Sequence, residues 1–347
     1  MKPPTNIKIL LTIVSAVALV FLLFAFSNRQ DNKKAGFARH FRSTLIPSGQ
    51  IINLPLPATG IAGGNRNFVY CTTTAENTLL CVDKTGNAIH PLHLHLPYPL
   101  RLIHTFVYDS VIAVLDARLK IMYSFTGHGL LFRSDTLKRS VNRGIMAGFE
   151  QYYFKVVDPV SMKPEILYCN MNTHTSNTLS LIRQSVWNNS YFALDGFFCN
   201  DASRGTTTYV FYYHNTFLTM DTMGNMIRQS HTVDTVTRTT LESFSKKEKG
   251  GANFVTLQSP PRITNKQGCA DEGVLFIASG VVADNEELSR FKSETVTDAY
   301  DQATGSYLYS FYIPSVHHEK VKHFLIDGNQ VYALYQHYFA VFSFKDQ

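Results

Sequence analysis

Short apolar stretches of strand length, broken at intervals by Gly, Asn, Asp and Pro, fill this chain from about residue 62 to the C-terminus. Two of them, LLCVDKTGN at 79–87 and FLTMDTMGN at 217–225, share one form: an apolar strand, then Asp, two variable residues, Gly and Asn. A looser copy, Asp301-Gln302-Ala303-Thr304-Gly305, precedes the strand SYLYSFYI at 306–313. Reading strands from alternation and turns from their turn-forming residues divides the chain into six sheet units, at about 62–97, 98–138, 139–183, 184–236, 237–314 and 315–347.

The first unit reads as NFVYCTTT, TLLCVD and IHPLHLHL, and the third as QYYFKVVD, EILYCNM and TLSLI. The fifth is swollen by a hydrophilic stretch at 241–273, and the sixth has only three strands before the chain stops. Repeats of about 40–50 residues, each several short strands, predict a six-bladed β-propeller, with seven blades if 241–273 forms a sheet of its own. The segment QIINLPLP at 50–57 is expected to supply the missing strand of the last unit, pairing the chain's two ends and removing two exposed edges. A β-sandwich is the structural rival, but units strung along the whole body suit a ring better.

Composition agrees with an all-β body. There are 25 Phe and 18 Tyr but one Trp, and charged residues make up 17%, below the usual ~25%. Residues 1–27 stand apart. Lys2 and Lys8 lead into an apolar run, Ile9 to Phe26, interrupted only by Thr12 and Ser15. This run is expected to be an uncleaved signal anchor, spanning the membrane as a helix, or a signal peptide with Ala25 and Ser27 at its cleavage site.

Arg29, Lys33, Lys34, Arg39 and Arg42 follow the run and, by the positive-inside rule, argue for a cytoplasmic body. The order of basic start, apolar run and small-residue end argues for export, and large domains tolerate flanking charge. The expectation is therefore a bacterial inner-membrane protein with its body in the periplasm, or a periplasmic protein if residues 1–27 are removed. Residues 28–43 read as a polar tether leading into the propeller at 44–347. The seven Lys and Arg and one Asp of residues 1–42 account for the whole net charge of +6. The body is then neutral, which gives no support to nucleic acid as a partner.

The strand rhythm and the D-x-x-G-N turns at 83–87 and 221–225 resemble the six-bladed propellers of the NHL/TolB-like type found in bacterial envelopes, over about 50–347. The resemblance speaks to architecture and brings no catalytic residues with it. Repeated Trp-Asp pairs of the WD40 kind are missing.

Chemistry is sparsely signalled. If FVYCTTT and NTLLCVD form a hairpin around Ala75-Glu76-Asn77, Cys71 and Cys81 fall opposite each other, and an exported body would allow a disulfide. His93 and His95 share a strand face near His90, but two on one strand fall short of a zinc site and read as exposed positions on an outer strand. His317, His318 and His323 precede an inner strand. No G-x-S-x-G, HExxH, P-loop or EF-hand motif is present, so no cofactor or metal is expected. Blade phase nominates Arg101, His104, Arg143, Asp195, His323 and Asp327 as channel-lining, ligand-binding candidates. The run Lys246-Lys247-Glu248-Lys249 reads as a solvated loop tip. The functional expectation is a non-enzymatic scaffold binding an envelope protein partner or a small ligand. The rival is a hydrolase or lyase with a metal-assisted site in the channel.

Overall fold

The structure is a computed structural model that describes residues 14–22, 35–42, 44–158, 160, 164–181, 191–237, 243–247, 253–257 and 262–345. Six antiparallel sheets follow one another along the chain. Blade 1 begins with the inner strand Ala58–Gly64, blade 2 with Thr105–Tyr108, blade 3 with Val141–Gly148, blade 4 with Gly196–Asp201, blade 5 with Asn265–Asp271 and blade 6 with His323–Asp327. Each inner strand contacts the next, and His323–Asp327 returns to Ala58–Gly64, so the ring is closed.

Why these sheets form a ring follows from their side chains. A strand places successive residues on opposite faces, and both faces here are apolar. In blade 3, Tyr152, Phe154 and Val156 pack on Ala113 and Leu115 of blade 2. Tyr153, one residue along, packs instead on Phe198 and Tyr209 of blade 4. The same alternation gives a buried cluster between blades 1 and 2, between 4 and 5, between 5 and 6, and between 6 and 1. Six interfaces carry six clusters, and no blade is left with a bare face.

The repeated D-x-x-G-N element joins the third strand of a blade to its outer strand, in blades 1 and 4. In the second copy Asp221 accepts the amides of Met223 and Asn225 at 2.8 and 2.9 Å. Gly224 supplies a φ of +82°, and a Cβ there would lie 2.5 Å from that of Tyr168 on blade 3. Only glycine fits both the turn and the neighbour. The looser Asp301 copy occupies the same place in blade 5.

Closure uses residues near both ends of the described body. Leu45–Pro47 runs antiparallel to Tyr338–Phe344, pairing Leu45 with Phe344, and Ile52–Asn53 pairs with Phe339 and Tyr338. The closing strand is thus split in two and begins earlier than the 50–57 segment read from sequence. Pro55 and Pro57 lack amide donors, which helps confine pairing to the positions before them.

Several expectations are corrected. The segment 243–247 with 253–257 makes a two-stranded sheet and no seventh blade; Glu248 and Lys249 of the basic run lie outside the described residues. Cys71 faces Leu80 and Cys81 faces Tyr70. The hairpin turn is the even-numbered 74–77, which shifts the register by one and sends the two thiols to opposite faces. Cys71 lies between blades 6 and 1, Cys81 between blades 1 and 2, and all five cysteines are free thiols.

The polar tether expected over 28–43 is corrected in its described part. Residues 35–42 dock on blade 5 through Arg39, which is 4% exposed. Its guanidinium makes a two-pronged contact with Asp298 at 2.7 and 3.0 Å, donates to the Val281 carbonyl at 3.0 Å and pairs with Glu286. Asn285 brackets the Arg39 backbone from both sides, and Phe41 stacks on Tyr312 with ring centroids 5.2 Å apart. Of the N-terminal apolar run, residues 14–22 form a helix. Among the described residues no helix is long and apolar enough to cross a membrane.

Arg39→Met leaves two buried carboxylates without their cation, so it should cost about 3–5 kcal/mol, the range for breaking a buried ion pair from one side. Exposed Arg42→Ala should cost less than about 1 kcal/mol; equal denaturation midpoints for the two variants contradict the clamp. Thiol titration of protein unfolded without reductant should find five free thiols, whereas three would restore a disulfide.

Candidate functional site

The topology sorts the loops by length. Inner strands all run the same way around the axis, so connections between blades and between second and third strands gather on the face where inner strands start. On that face lie, among the described residues, 94–104, 191–195, 232–237, 262–264, 280–294 and 314–322; the opposite face carries tight turns such as 109–110, 149–150 and 272–273. Long loops on a rigid scaffold are where binding groups concentrate.

The axial channel opens on this long-loop face. Its upper stretch encloses about 350 Å³ and its lower stretch about 400 Å³. Both are walled by Ile61, Ala62, Phe106, Ile145, Phe198, Gln267 and His323. The upper stretch adds His104, Asn142, Arg143, Tyr212 and Lys266, and among the described residues no carboxylate lines it. Below, Val107, Met146 and Leu325 make the walls more apolar, with Asp109 among the lower lining.

Each polar group is set by its place on an inner strand. Arg143 is near the start of blade 3, and its guanidinium carbon lies 5.1 Å from the Tyr212 ring centroid, a cation–π contact across to blade 4. Lys266 is the second residue of the blade 5 inner strand, with its ammonium 5.5 Å from the ring of Phe291. Phe291 belongs to the short helix Leu288–Ser293 in the 280–294 loop, and Lys320 donates to its carbonyl at 2.8 Å. Asn265 pins the start of the same strand by donating to the carbonyls of Phe211 and His214 at 2.9 and 3.0 Å.

Electrostatics at the mouth favour neutral imidazoles. Burial, then Lys322 and Arg143, push His323 down to about 4. Burial and Arg143 also hold His104 below its usual value. The ring of His323 lies against Gly60 of the blade 1 inner strand, where a Cβ would stand in ordinary contact with Nε2 at 3.4 Å. Lys155 is buried and pairs with Asp195 beside the mouth; burial lowers its pKa, the pair with Asp195 opposes this, and Arg143 adds to the lowering.

Of the residues nominated from sequence, His104, Arg143 and His323 line the upper channel together. Asp195 sits at the rim, engaged with Lys155. Arg101 is exposed and outside the lining. Asp327 is at the far end of the blade 6 inner strand, paired with Lys84 and half exposed. His317 packs on Tyr338 at 4.7 Å, away from the channel lining, and His93 meets Thr78 at 3.0 Å on an outer strand. Lys266, Asn142, Gln267 and Tyr212 escaped the sequence reading; locating an inner strand in NKQGCAD would have found two of them. Among the described residues no three His, Cys, Asp or Glu side chains are placed to hold a metal ion.

No family model and no curated protein matches this chain. Solved structures do. A Bacteroides vulgatus member of the DUF4221 family has a TM-score of 0.54 at 11% identity, covering 88% of this chain and 99% of that one. A putative exported protein from Bacteroides fragilis has 0.51 at 10%, covering 88% and 95%. A catalytically inactive virginiamycin B lyase from Staphylococcus aureus, solved with quinupristin, has 0.50 at 10%, covering 87% and 99%. At these identities the likeness is one of fold alone: the chain is an all-β, six-bladed propeller.

The depressed His323 has a signed consequence. In the unfolded chain it takes up a proton near 6.5, but in the fold only near 4. The unfolded state therefore binds more protons between those values, and stability falls as pH drops from 6.5 towards 4. His323→Gln should make the decline in melting temperature across that window shallower than in the parent. An unchanged slope contradicts a neutral buried imidazole at this position.

Proposed function

We propose that the protein is a non-enzymatic binding propeller that takes its ligand at the long-loop mouth of the axial channel. The observation that carries this reading is the convergence of Arg143, Lys266 and His323, from three inner strands, and His104, from the loop leading into a fourth, on a single cavity with apolar walls below. Concave, largely apolar sites with a few convergent polar groups are what small-ligand sites look like. An envelope protein partner would engage the same face, where the exposed loops project.

The basic start and apolar run at residues 2–26 support export, with the body in the periplasm of a bacterial envelope, either anchored or released. That placement accords with the NHL/TolB-like resemblance of strands and turns. In the anchored form, residues 23–34 connect the helix to the docked strap, and twelve residues reach no more than about 42 Å. The propeller would then stay close to the membrane surface.

A second reading, a hydrolase or lyase at the same mouth, is favoured by one observation: His323 is a neutral imidazole facing the cavity beside a cationic group. A neutral imidazole can take a proton from a substrate. The lyase fold neighbour shows only that a propeller can serve such chemistry.

Thermal-shift screening of a small-metabolite library separates the two. Ile145→Trp and Gln267→Phe each fill the channel where its two stretches join. A compound at about a hundredfold over its Kd stabilises the fold by ~2.7 kcal/mol. The expected hit raises the melting temperature of the parent, loses that effect in both filled variants and is recovered unchanged. Consumption of the hit by the parent favours the enzyme, and a shift indifferent to both substitutions removes the channel from the account.

A further inference from the structure

Resting on the reading of the mouth as a ligand site, we infer that its ligand is a small organic anion with an apolar body. The anionic head meets Arg143 and Lys266, and the body lies down the channel. The argument begins with charge. Arg143 and Lys266 come from blades 3 and 5 and line one cavity. Among the described residues their partners are aromatic rings, those of Tyr212 and Phe291, and neither is paired with a carboxylate. Of the other ionic groups near the rim, Lys155 and Asp195 neutralise each other, Lys320 lies between Lys266 and Glu294, and Lys322 adds positive charge beside His323. His104 and His323 add no charge near neutral pH, because burial and Arg143 hold both below their usual value. The upper stretch thus presents two uncompensated positive charges in a half-enclosed space.

An uncharged ligand would strip water from these cations and give nothing back, which is costly. An anion replaces that water with charge-assisted hydrogen bonds, and the planar guanidinium of Arg143 suits a two-oxygen head. A fully polar anion is a poor match for what lies beneath. Ile61, Phe106, Ile145 and Phe198 wall both stretches, and the lower one offers about 400 Å³. Each methylene placed there leaves water for an apolar surface. Head and body are each specified by a different part of the same channel.

Octanoate, acetate and octan-1-ol test the two halves separately by isothermal titration of the intact protein. Octanoate carries head and body, acetate the head alone, and octanol the body alone. Octanoate should bind at least tenfold more tightly than either, and from butanoate to octanoate each methylene should add up to about fourfold. Octyl phosphate binding more or less tightly than octanoate identifies the preferred head within the same proposal. Arg143→Gln and Lys266→Gln should each weaken octanoate by about tenfold, the loss of one charge-assisted contact, and leave octanol unchanged. Both sites are exposed, so both variants should fold, which their melting temperatures check. The inference is overturned if octanol binds as tightly as octanoate, or if neither charge substitution matters. Octanol binding as tight as that of octanoate, and lost in Ile145→Trp, sinks the anion while the ligand channel stands. Octanoate binding that survives in Ile145→Trp places the acid elsewhere and sinks both.

Discussion

A four-stranded sheet with two apolar faces cannot be stable alone, and every feature of this protein follows from how that constraint is met. Each blade needs two neighbours. A row of blades would still leave the first and last with one greasy face apiece, and only a closed ring gives none. Here the sixth interface, between Val69, Cys71 and Leu80 of blade 1 and Leu334, Phe339 and Val341 of blade 6, is packed like the other five. It is held by hydrogen bonds as well as by burial, since Leu45–Pro47 adds an outer strand to the blade that ends the chain. Arg39 then fastens the residues just before that strand to blade 5 with a buried pair of carboxylates. Burying such charges is not an efficient source of stability, but removing one partner is expensive, so the strap is hard to peel away.

The same closure makes the site. Inner strands from six separate stretches of chain meet at an axis, which is how His104, Arg143, Lys266 and His323 come to share a cavity. Parallel inner strands also send the long connections to one face and the tight turns to the other. The mouth therefore gains both its cations and its surrounding loops from topology. Its chemistry is that of a charged rim over an apolar throat, with imidazoles kept neutral by burial and by Arg143.

Much of this architecture is written in short-range patterns. The D-x-x-G-N turns at 83–87 and 221–225 are legible because glycine and aspartate each have a local reason to be there. Middle strands such as VIAVLD and TFLTM announce themselves by β-branched and apolar residues. The inner strands ATGIAGG and VNRGIMAG do not, since crowding at the axis favours small residues that read as loop. The Cys71–Cys81 pairing failed on a single residue of turn length, which no composition signal resolves. Arg39 looked like tether because its partners, Glu286 and Asp298, lie some 250 positions away. Arg143 was found from its blade phase, but Lys266 was hidden inside a stretch taken as insertion. What the sequence conceals is contact across the ring.

Hydrogen exchange measured by mass spectrometry, comparing the intact chain with one lacking residues 1–49, tests closure most directly. Loss of Arg39 and of Leu45–Pro47 should strip protection from Tyr338–Phe344 and from Thr295–Asp301 of blade 5, and the loss should reach the channel strand His323–Asp327. Protection in those strands equal to that of the intact chain would contradict the claim that the joined ends hold the ring, and with it the mouth, together.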